Sequence, residues 1–205
     1  MTIAAIMAMA PVIPVLVLDG SHDPAEMASL LVASGLPVIE VTLRTPGALA
    51  AIEAMSAIPG AIVGAGTVLN APQLDDALAA GARFIVSPGL TEPVAKAAIS
   101  SGIPFLPGVA TASDIMRGLG LGLDRFKFFP AVAAGGIPAL KALSAPFAGV
   151  RFCPTGGVTA AGARDWLALD SVACVGGSWI VPTGASLDEI ADLARQAAAL
   201  AGPTN

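Results

Sequence analysis

The sequence predicts a single-domain α/β protein, a (β/α)₈ barrel with a short helix at its N-terminus. Three observations support this fold class. Eight short apolar runs rich in Val, Ile and Phe alternate with Ala- and Leu-rich segments of helical length. The boundaries between these segments carry Gly, Pro or a helix-capping residue. Polar and glycine residues follow nearly every apolar run, and in a barrel the carboxyl ends of the strands form the active face.

The spacing of the apolar runs along the chain is the spacing that a (β/α)₈ barrel of minimal length requires. The predicted strands cover residues 12–18, 38–44, 61–67, 83–87, 103–108, 124–129, 149–154 and 171–176. The predicted helices between them cover residues 24–34, 46–57, 72–80, 93–101, 113–119, 137–143, 160–167 and 187–199. Gly35, Gly81 and Gly102 stand where a helix should end in a left-handed residue. A doubly wound open sheet uses the same alternation, but the count of eight strands favours closure.

Length and composition indicate one soluble domain over residues 1–205. The chain of 205 residues has no linker or low-complexity tract. Residues 1–18 carry no charge and have the composition of a signal-peptide core or a short membrane span. They include no Lys or Arg n-region, however, and Pro11 and Pro14 interrupt them, so we expect a short helix followed by a strand. We therefore expect a cytoplasmic protein that does not enter the membrane.

Net charge, cysteine spacing and composition indicate which partners and which kinds of site to expect. The net charge is -5 and no basic run occurs, so nucleic acid is not an expected partner. Cys153 and Cys174 lie in apolar runs without the spacing of a disulfide framework or a zinc site. His22 stands alone near the start of a predicted helix, and we do not expect it to be catalytic. Only 12% of the residues are charged and 55% are hydrophobic, which suggests that identical subunits cover part of the surface.

Lys127 is the residue that points most directly to chemistry. It lies between Phe126 and Phe128 in a predicted buried strand, where lysine is rare. Burial disfavours the charged form of an amine, and the neutral amine can attack a carbonyl to form a Schiff base. The alternative is a lysine at a strand end whose ammonium group extends to solvent along the apolar surface.

The second predicted strand places three polar residues on one face. With a period of two, Glu40, Thr42 and Arg44 point to one side and the apolar residues between them to the other. In a barrel the apolar side meets the helices, so the polar side would point inward. An unpaired carboxylate is costly there, whereas one held near Lys127 or a substrate is not. The alternative is an amphipathic edge strand with a solvated face.

Glycine-rich segments end several of the other strands. Residues 64–67 combine two glycines with Thr67, whose hydroxyl could bind a carboxylate. Residues 155–157 and 176–178 follow the seventh and eighth strands, where barrels recurrently bind phosphate through backbone N–H groups. Each glycine pair alone is also compatible with a tight turn, as are Pro88 and the glycine after it.

Five motifs along the chain can be compared with known families: VIEVTLRT at 38–45, GAGTVLN at 64–70, SPGL at 87–90, FKFFPA at 126–131 and RFCPTGG at 151–157. Together they resemble one family, that of 2-keto-3-deoxy-6-phosphogluconate (KDPG) aldolase and 4-hydroxy-2-oxoglutarate aldolase. The resemblance covers nearly the whole chain. It implies a class I, Schiff-base aldolase of the Entner–Doudoroff pathway that needs no metal and no cofactor. It also implies a homotrimer whose partners are a phosphosugar acid and pyruvate.

The resemblance also implies roles for individual residues. Lys127 would be the Schiff-base lysine and Glu40 the general acid/base, while Arg44 and Thr67 would hold the substrate carboxylate. The remaining implied residues bind the distal part of the substrate and its phosphate or line the pocket: Thr155, Gly156, Gly157, Gly177 and Ser178, with Pro88 and Phe129. Val132 departs from the family pattern, because many members carry a glutamate at this position.

Three alternatives to this activity are compatible with the sequence. A 6-phosphogalactonate aldolase would differ in the configuration of one substrate carbon, which depends on pocket contacts. A sugar-phosphate epimerase or isomerase barrel would share the two glycine segments without a covalent lysine. A non-catalytic oligomeric scaffold would explain the apolar composition but not Lys127.

Overall fold

The computed structural model describes residues 1–200, so residues 201–205 of the predicted domain lie outside the described residues. Eight strands alternate with helices along the chain. The strands are β1 (Val12–Leu16), β2 (Val38–Thr42), β3 (Ile62–Gly66), β4 (Phe84–Ser87), β5 (Phe105–Val109), β6 (Arg125–Phe128), β7 (Arg151–Pro154) and β8 (Val175–Gly177). The helices are α1 (Ile3–Met7), α2 (Pro24–Ala33), α3 (Ala48–Ser56), α4 (Ala71–Ala79), α5 (Glu92–Ser101), α6 (Ala112–Gly120), α7 (Gly136–Ser144), α8 (Ala160–Leu167) and α9 (Leu187–Ala198).

The strands form one parallel sheet that curls into a nearly closed barrel. Their order is β7-β6-β5-β4-β3-β2-β1-β8, so that β1 pairs with both β2 and β8. Between β7 and β8 the contact consists of two isolated bridges, Phe152–Val172 and Thr155–Gly176. The predicted (β/α)₈ barrel with a short N-terminal helix is confirmed.

Two apolar layers stabilise the barrel. Outward-facing strand residues such as Phe126, Phe128 and Phe152 are buried against the surrounding helices. The interior near the amino ends of the strands is filled by a second set of side chains, and Ile6 and Met7 of α1 close that end. The interior set is Ile6, Met7, Ile13, Val38, Phe84, Val86, Leu106, Cys153 and Cys174. The barrel interior is therefore a packed core at the amino ends of the strands, which leaves the carboxyl ends for the site.

Some element boundaries differ from the prediction for local reasons. The predicted strand 171–176 is observed only as Val175–Gly177, because the residues before it touch β7 through an isolated bridge and not a ladder. The predicted strand 61–67 ends at Gly66, since Thr67 takes a left-handed φ of 60°. The three glycines predicted to end helices do have positive φ: 90° at Gly35, 93° at Gly81 and 71° at Gly102.

The helices are too short for a membrane span. A bilayer-crossing helix needs about 20 apolar residues, whereas α9, the longest within residues 1–200, has 12. No helix among the described residues has the length and apolar character needed to cross a bilayer.

Candidate active site

Lys127 and Glu40 form an ion pair inside the barrel. Lys127 lies on β6 between two phenylalanines that face the helices, so its own side chain points inward. Its Nζ lies 2.9 Å from Oε1 and 3.2 Å from Oε2 of Glu40. The two side chains are only 7% and 4% exposed. The structure thus places a buried amine directly against a carboxylate, which can take a proton from it.

Strand β2 positions Glu40 as its alternation predicted. Val38, Glu40 and Thr42 point inward, while the residues between them pack against the helices. Thr42 is 1% exposed, and its hydroxyl donates to the carbonyl of Leu16 on β1 at 2.8 Å. This bond ties β2 to β1 and pairs the buried hydroxyl of Thr42.

Arg44 and Thr67 meet at the mouth of the barrel. Arg44 lies in the turn after β2, and not within the strand as predicted, and its side chain is exposed. Its Nε donates to the hydroxyl of Thr67 at 3.3 Å. Thr67 holds a left-handed conformation that is rare for a β-branched residue, and such strain is concentrated at functional sites. The pair presents a guanidinium group and a hydroxyl toward solvent, a combination suited to a carboxylate.

The segment after β7 forms a turn that only glycine fits. Gly156 and Gly157 have φ of 98° and 81°, and a Cβ at Gly157 would lie 2.8 Å from Val132. The carbonyls of Thr155 and Gly156 accept the N–H groups of Ala131 and Val132, which joins this turn to the loop after β6. Within residues 1–200, the N–H groups of Gly156 and Gly157 have no hydrogen-bond partner. These two donors remain available to an anion.

The end of β8 lies beside this turn. Thr155 bridges to Gly176, and Gly177 and Ser178 follow directly. A Cβ at Gly177 would lie 2.6 Å from the ring of Trp179, so the indole packs against the bare Cα. Ser178 is exposed and begins a short 3₁₀ turn, Ser178–Ile180. The five residues expected to bind the distal part of a substrate are therefore neighbours in space.

Phe129 and Pro88 complete the carboxyl end of the barrel. Lys127 Nζ lies 5.4 Å from the centroid of the Phe129 ring, within the range of a cation–π contact. Pro88 follows β4, and its carbonyl oxygen lies 2.1 Å from where a Cβ of Gly108 would stand. Both side chains are half-buried, in agreement with a position on the wall of a pocket.

Three glycines make room for site residues, although the sequence did not show which residue each glycine faces. Gly66 faces Glu40, Gly108 faces Pro88 and Gly176 faces Thr155, whose Oγ1 would lie 2.2 Å from an added Cβ. All three stand at or near strand ends, and their glycine identity was a visible signal of close approach. The partner of each glycine depends on the register between strands, which a sequence does not specify.

Comparison with known proteins agrees with this geometry. The model of the KDPG and KHG aldolase family matches residues 3–195. The 2-dehydro-3-deoxy-phosphogluconate aldolase of Zymomonas mobilis is 55% identical over 198 residues, covering 96% of this chain and 95% of that protein. The KHG/KDPG aldolase of Escherichia coli is 54% identical over 192 residues, covering 91% and 90%.

A solved structure shares the fold in detail. It is the crystal structure of KDPG aldolase from Legionella pneumophila with pyruvate captured at low pH as a covalent carbinolamine intermediate. It superimposes with a TM-score of 0.93 at 47% identity, covering 97% of this chain and 99% of that one. With this fold, these identities and a family match over nearly its whole length, the chain belongs to the KDPG and KHG aldolase family.

Proposed function

We propose that this protein is a class I aldolase that cleaves 2-keto-3-deoxy-6-phosphogluconate to pyruvate and D-glyceraldehyde 3-phosphate. The observation that carries the proposal is the buried contact of 2.9 Å between Lys127 Nζ and Glu40 Oε1. An amine shielded from water and held against a base is the arrangement that Schiff-base formation requires. The membership of the chain in the KDPG and KHG aldolase family supports the same reaction.

Lys127 and Glu40 divide the covalent chemistry between them. Glu40 takes a proton from Lys127 Nζ, and the free amine attacks the C2 ketone to give a carbinolamine. Glu40 then protonates the hydroxyl that leaves as water, and a protonated imine forms. When Glu40, directly or through a water molecule, removes the C4 hydroxyl proton, the C3–C4 bond breaks and its electrons move to the imine. Glyceraldehyde 3-phosphate leaves, Glu40 passes the proton that it took from the C4 hydroxyl to C3 of the enamine, and hydrolysis of the imine releases pyruvate.

The two ends of the substrate bind to different parts of the barrel. Arg44 and Thr67 hold the carboxylate next to the reacting ketone, because both groups lie at the mouth near β2 and β3. The distal phosphate binds at the ends of β7 and β8, where Gly156 and Gly157 present free N–H groups. Thr155, Gly177 and Ser178 line the path between them, and Pro88 and Phe129 form the wall.

We also propose cleavage of 4-hydroxy-2-oxoglutarate to pyruvate and glyoxylate as a second activity. The name of the Escherichia coli relative, KHG/KDPG aldolase, supports it. This substrate shares the ketone and carboxylate that Lys127 and Arg44 would bind, but it carries no phosphate. Cleavage of 4-hydroxy-2-oxoglutarate would therefore depend on Lys127 and Arg44 and not on the phosphate-binding segments after β7 and β8.

The enzyme is further proposed to act as a cytoplasmic homotrimer. Support comes from the apolar composition, with 55% hydrophobic residues, and from large apolar side chains left exposed in a single chain, such as Leu69 and Met116 at 56% and 63%. Light scattering on the purified protein would then give three times the subunit mass of 20.1 kDa. A mass equal to one subunit would contradict the trimer but not the chemistry.

The activity is tested by following pyruvate release from both epimeric phosphosugar acids and from 4-hydroxy-2-oxoglutarate. We expect the gluconate epimer to be the best substrate. Faster turnover of the galactonate epimer would reassign the substrate, since a single carbon centre separates the two. No pyruvate from any of the three would reject the aldolase and favour an isomerase barrel or a scaffold.

A further inference from the structure

We propose that Gly66 is a positioning residue for Glu40, because the Glu40 carboxylate occupies the space that a side chain at residue 66 would need. A Cβ at Gly66 would lie 2.2 Å from Oε1, 2.7 Å from Cγ and 2.8 Å from Cδ of Glu40. Cβ contacts under 3.0 Å are essentially never seen in proteins. The inference rests on the proposed function, since it assigns to Gly66 a part in the proton transfers of Glu40.

The register of β2 and β3 explains this contact. Glu40 pairs with Gly64 and Thr42 pairs with Gly66, so the Glu40 side chain leans along the strand direction to lie over Gly66. Its two oxygens there face Lys127 Nζ at 2.9 and 3.2 Å. The carboxylate is thus held between the amine on one side and the bare Cα of Gly66 on the other.

Gly66 differs from the other closely packed glycines in the atoms that an added Cβ would contact. At Gly108 the obstacle is the backbone carbonyl of Pro88, and at Gly64 it is the ring of Phe84 in the packed core. At Gly66 the obstacle is the Glu40 side chain from Cγ to Oε1, which is flexible and can rotate away. The backbone of Gly66 lies within strand β3 and has no positive φ, so alanine can adopt it. We therefore expect Gly66→Ala to fold and to displace the carboxylate from Nζ.

Displacement should affect turnover and not binding. Proton transfer needs the base within hydrogen-bond reach of the amine, and losing it costs about 10²–10⁴-fold. The carboxylate-binding contact between Arg44 and Thr67 lies beyond the strand and does not involve Glu40. Gly66→Ala should therefore lower kcat for KDPG by about 10²-fold or more, with KM changed by less than about threefold.

The experiment compares Gly66→Ala with Gly149→Ala, where an added Cβ meets nothing within 4 Å. Steady-state kinetics with KDPG give kcat and KM, and deuterium exchange into the methyl group of pyruvate reports the proton transfer directly. The Gly149→Ala protein should match wild type in both assays. A Gly66→Ala protein with wild-type kcat and exchange would overturn the inference. Wild-type protein that neither cleaves KDPG nor exchanges pyruvate would instead reject the proposed function.

Double variants show whether Gly66 acts through Glu40. If it does, Gly66→Ala combined with Glu40→Gln should be no slower than Glu40→Gln alone, because both changes remove the same base. Multiplied losses would mean that Gly66 acts elsewhere and would overturn the inference. Should Gly66→Ala fail to fold, adding Glu40→Ala removes the obstructing side chain. That double variant should then regain the melting temperature of Glu40→Ala alone, and failure to do so would also overturn it.

Discussion

At the scale of single residues, the Lys127–Glu40 pair combines two opposing effects. Withdrawal from water disfavours both charges, while a separation of 2.9 Å favours them together. Removing one partner of such a buried pair leaves the other unpaired, which costs about 3–5 kcal/mol in comparable cases. Each side chain therefore stabilises the other, and a proton can move between the two groups.

Glu40→Gln tests the acid/base role while keeping the size of the side chain. We expect kcat for KDPG to fall by about 10²–10⁴-fold, because the amide cannot accept a proton. KM should change little, since the proposed carboxylate-binding residues Arg44 and Thr67 bond to each other without Glu40. Glu53→Gln, on the exposed face of α3, is the matched control in the same pyruvate-release assay. An unchanged rate for Glu40→Gln would remove Glu40 from the mechanism.

The two cysteines should be unreactive in the folded protein. Cys153 and Cys174 are 2% and 0% exposed inside the barrel. A hydrogen bond with Cys153, together with burial, raises the pKa of the Cys174 thiol well above its usual range. Since the thiolate is the reactive form, a chromogenic disulfide reagent at neutral pH should titrate neither thiol until the protein is unfolded. Rapid titration of either one in the native enzyme would show that the barrel interior is open.

At the scale of elements, the loops carry features that patterns did not indicate. The sequence predicted no catalytic role for His22. The structure makes it half-buried, with Nε2 2.9 Å from the carbonyl of Ala185. Because a carbonyl only accepts, Nε2 carries the hydrogen. This bond joins the loop after β1 to the loop before α9, and the two bonded residues are 163 positions apart in the sequence.

His22→Ala should lower stability without touching the chemistry. One lost hydrogen bond costs about 1 kcal/mol, which corresponds to a fall of about 2–4 °C in melting temperature for a chain of this size. His22→Gln places an amide N–H at a similar reach and should recover most of that loss. Thermal denaturation of the three proteins measures both effects. Equal melting temperatures for wild type and His22→Ala would show that the bond contributes nothing.

The sequence patterns predicted the presence of each helix and strand far better than the residue at which it ends or the residues that it contacts. Strands and helices follow from apolar runs and capping residues, so eight strands could be located and the fold class assigned. Thr67 illustrates the limit: its left-handed φ of 60° is set by tertiary structure and cannot be inferred from a β-branched side chain. The pairing of Glu40 with Lys127, 87 residues apart, could be proposed from inward-facing alternation. The contact of Glu40 with Gly66 could not be predicted, because it depends on the register of β3 against β2.

At the scale of the whole molecule, the barrel accounts for part of the chain's apolar character. Its eight parallel strands are buried on both faces and read as nearly continuous apolar runs, which contribute to the mean hydropathy of +0.80. The same architecture gathers the carboxyl ends of strands distant in sequence at one face. Residues at the ends of β2, β3, β4, β6, β7 and β8 thus form the proposed site, although none of these segments suffices alone.

The proposed mechanism depends on a covalent bond between Lys127 and an α-keto acid. Incubating the protein with pyruvate and borohydride, followed by peptide mass spectrometry, shows whether that bond forms. We predict one reduced pyruvyl group on Lys127, with none on Lys96 or Lys141, which are exposed. The Lys127→Ala protein should fold, remain unmodified and release no pyruvate from KDPG. An unmodified Lys127 in active wild-type protein, or normal turnover by Lys127→Ala, would contradict the account.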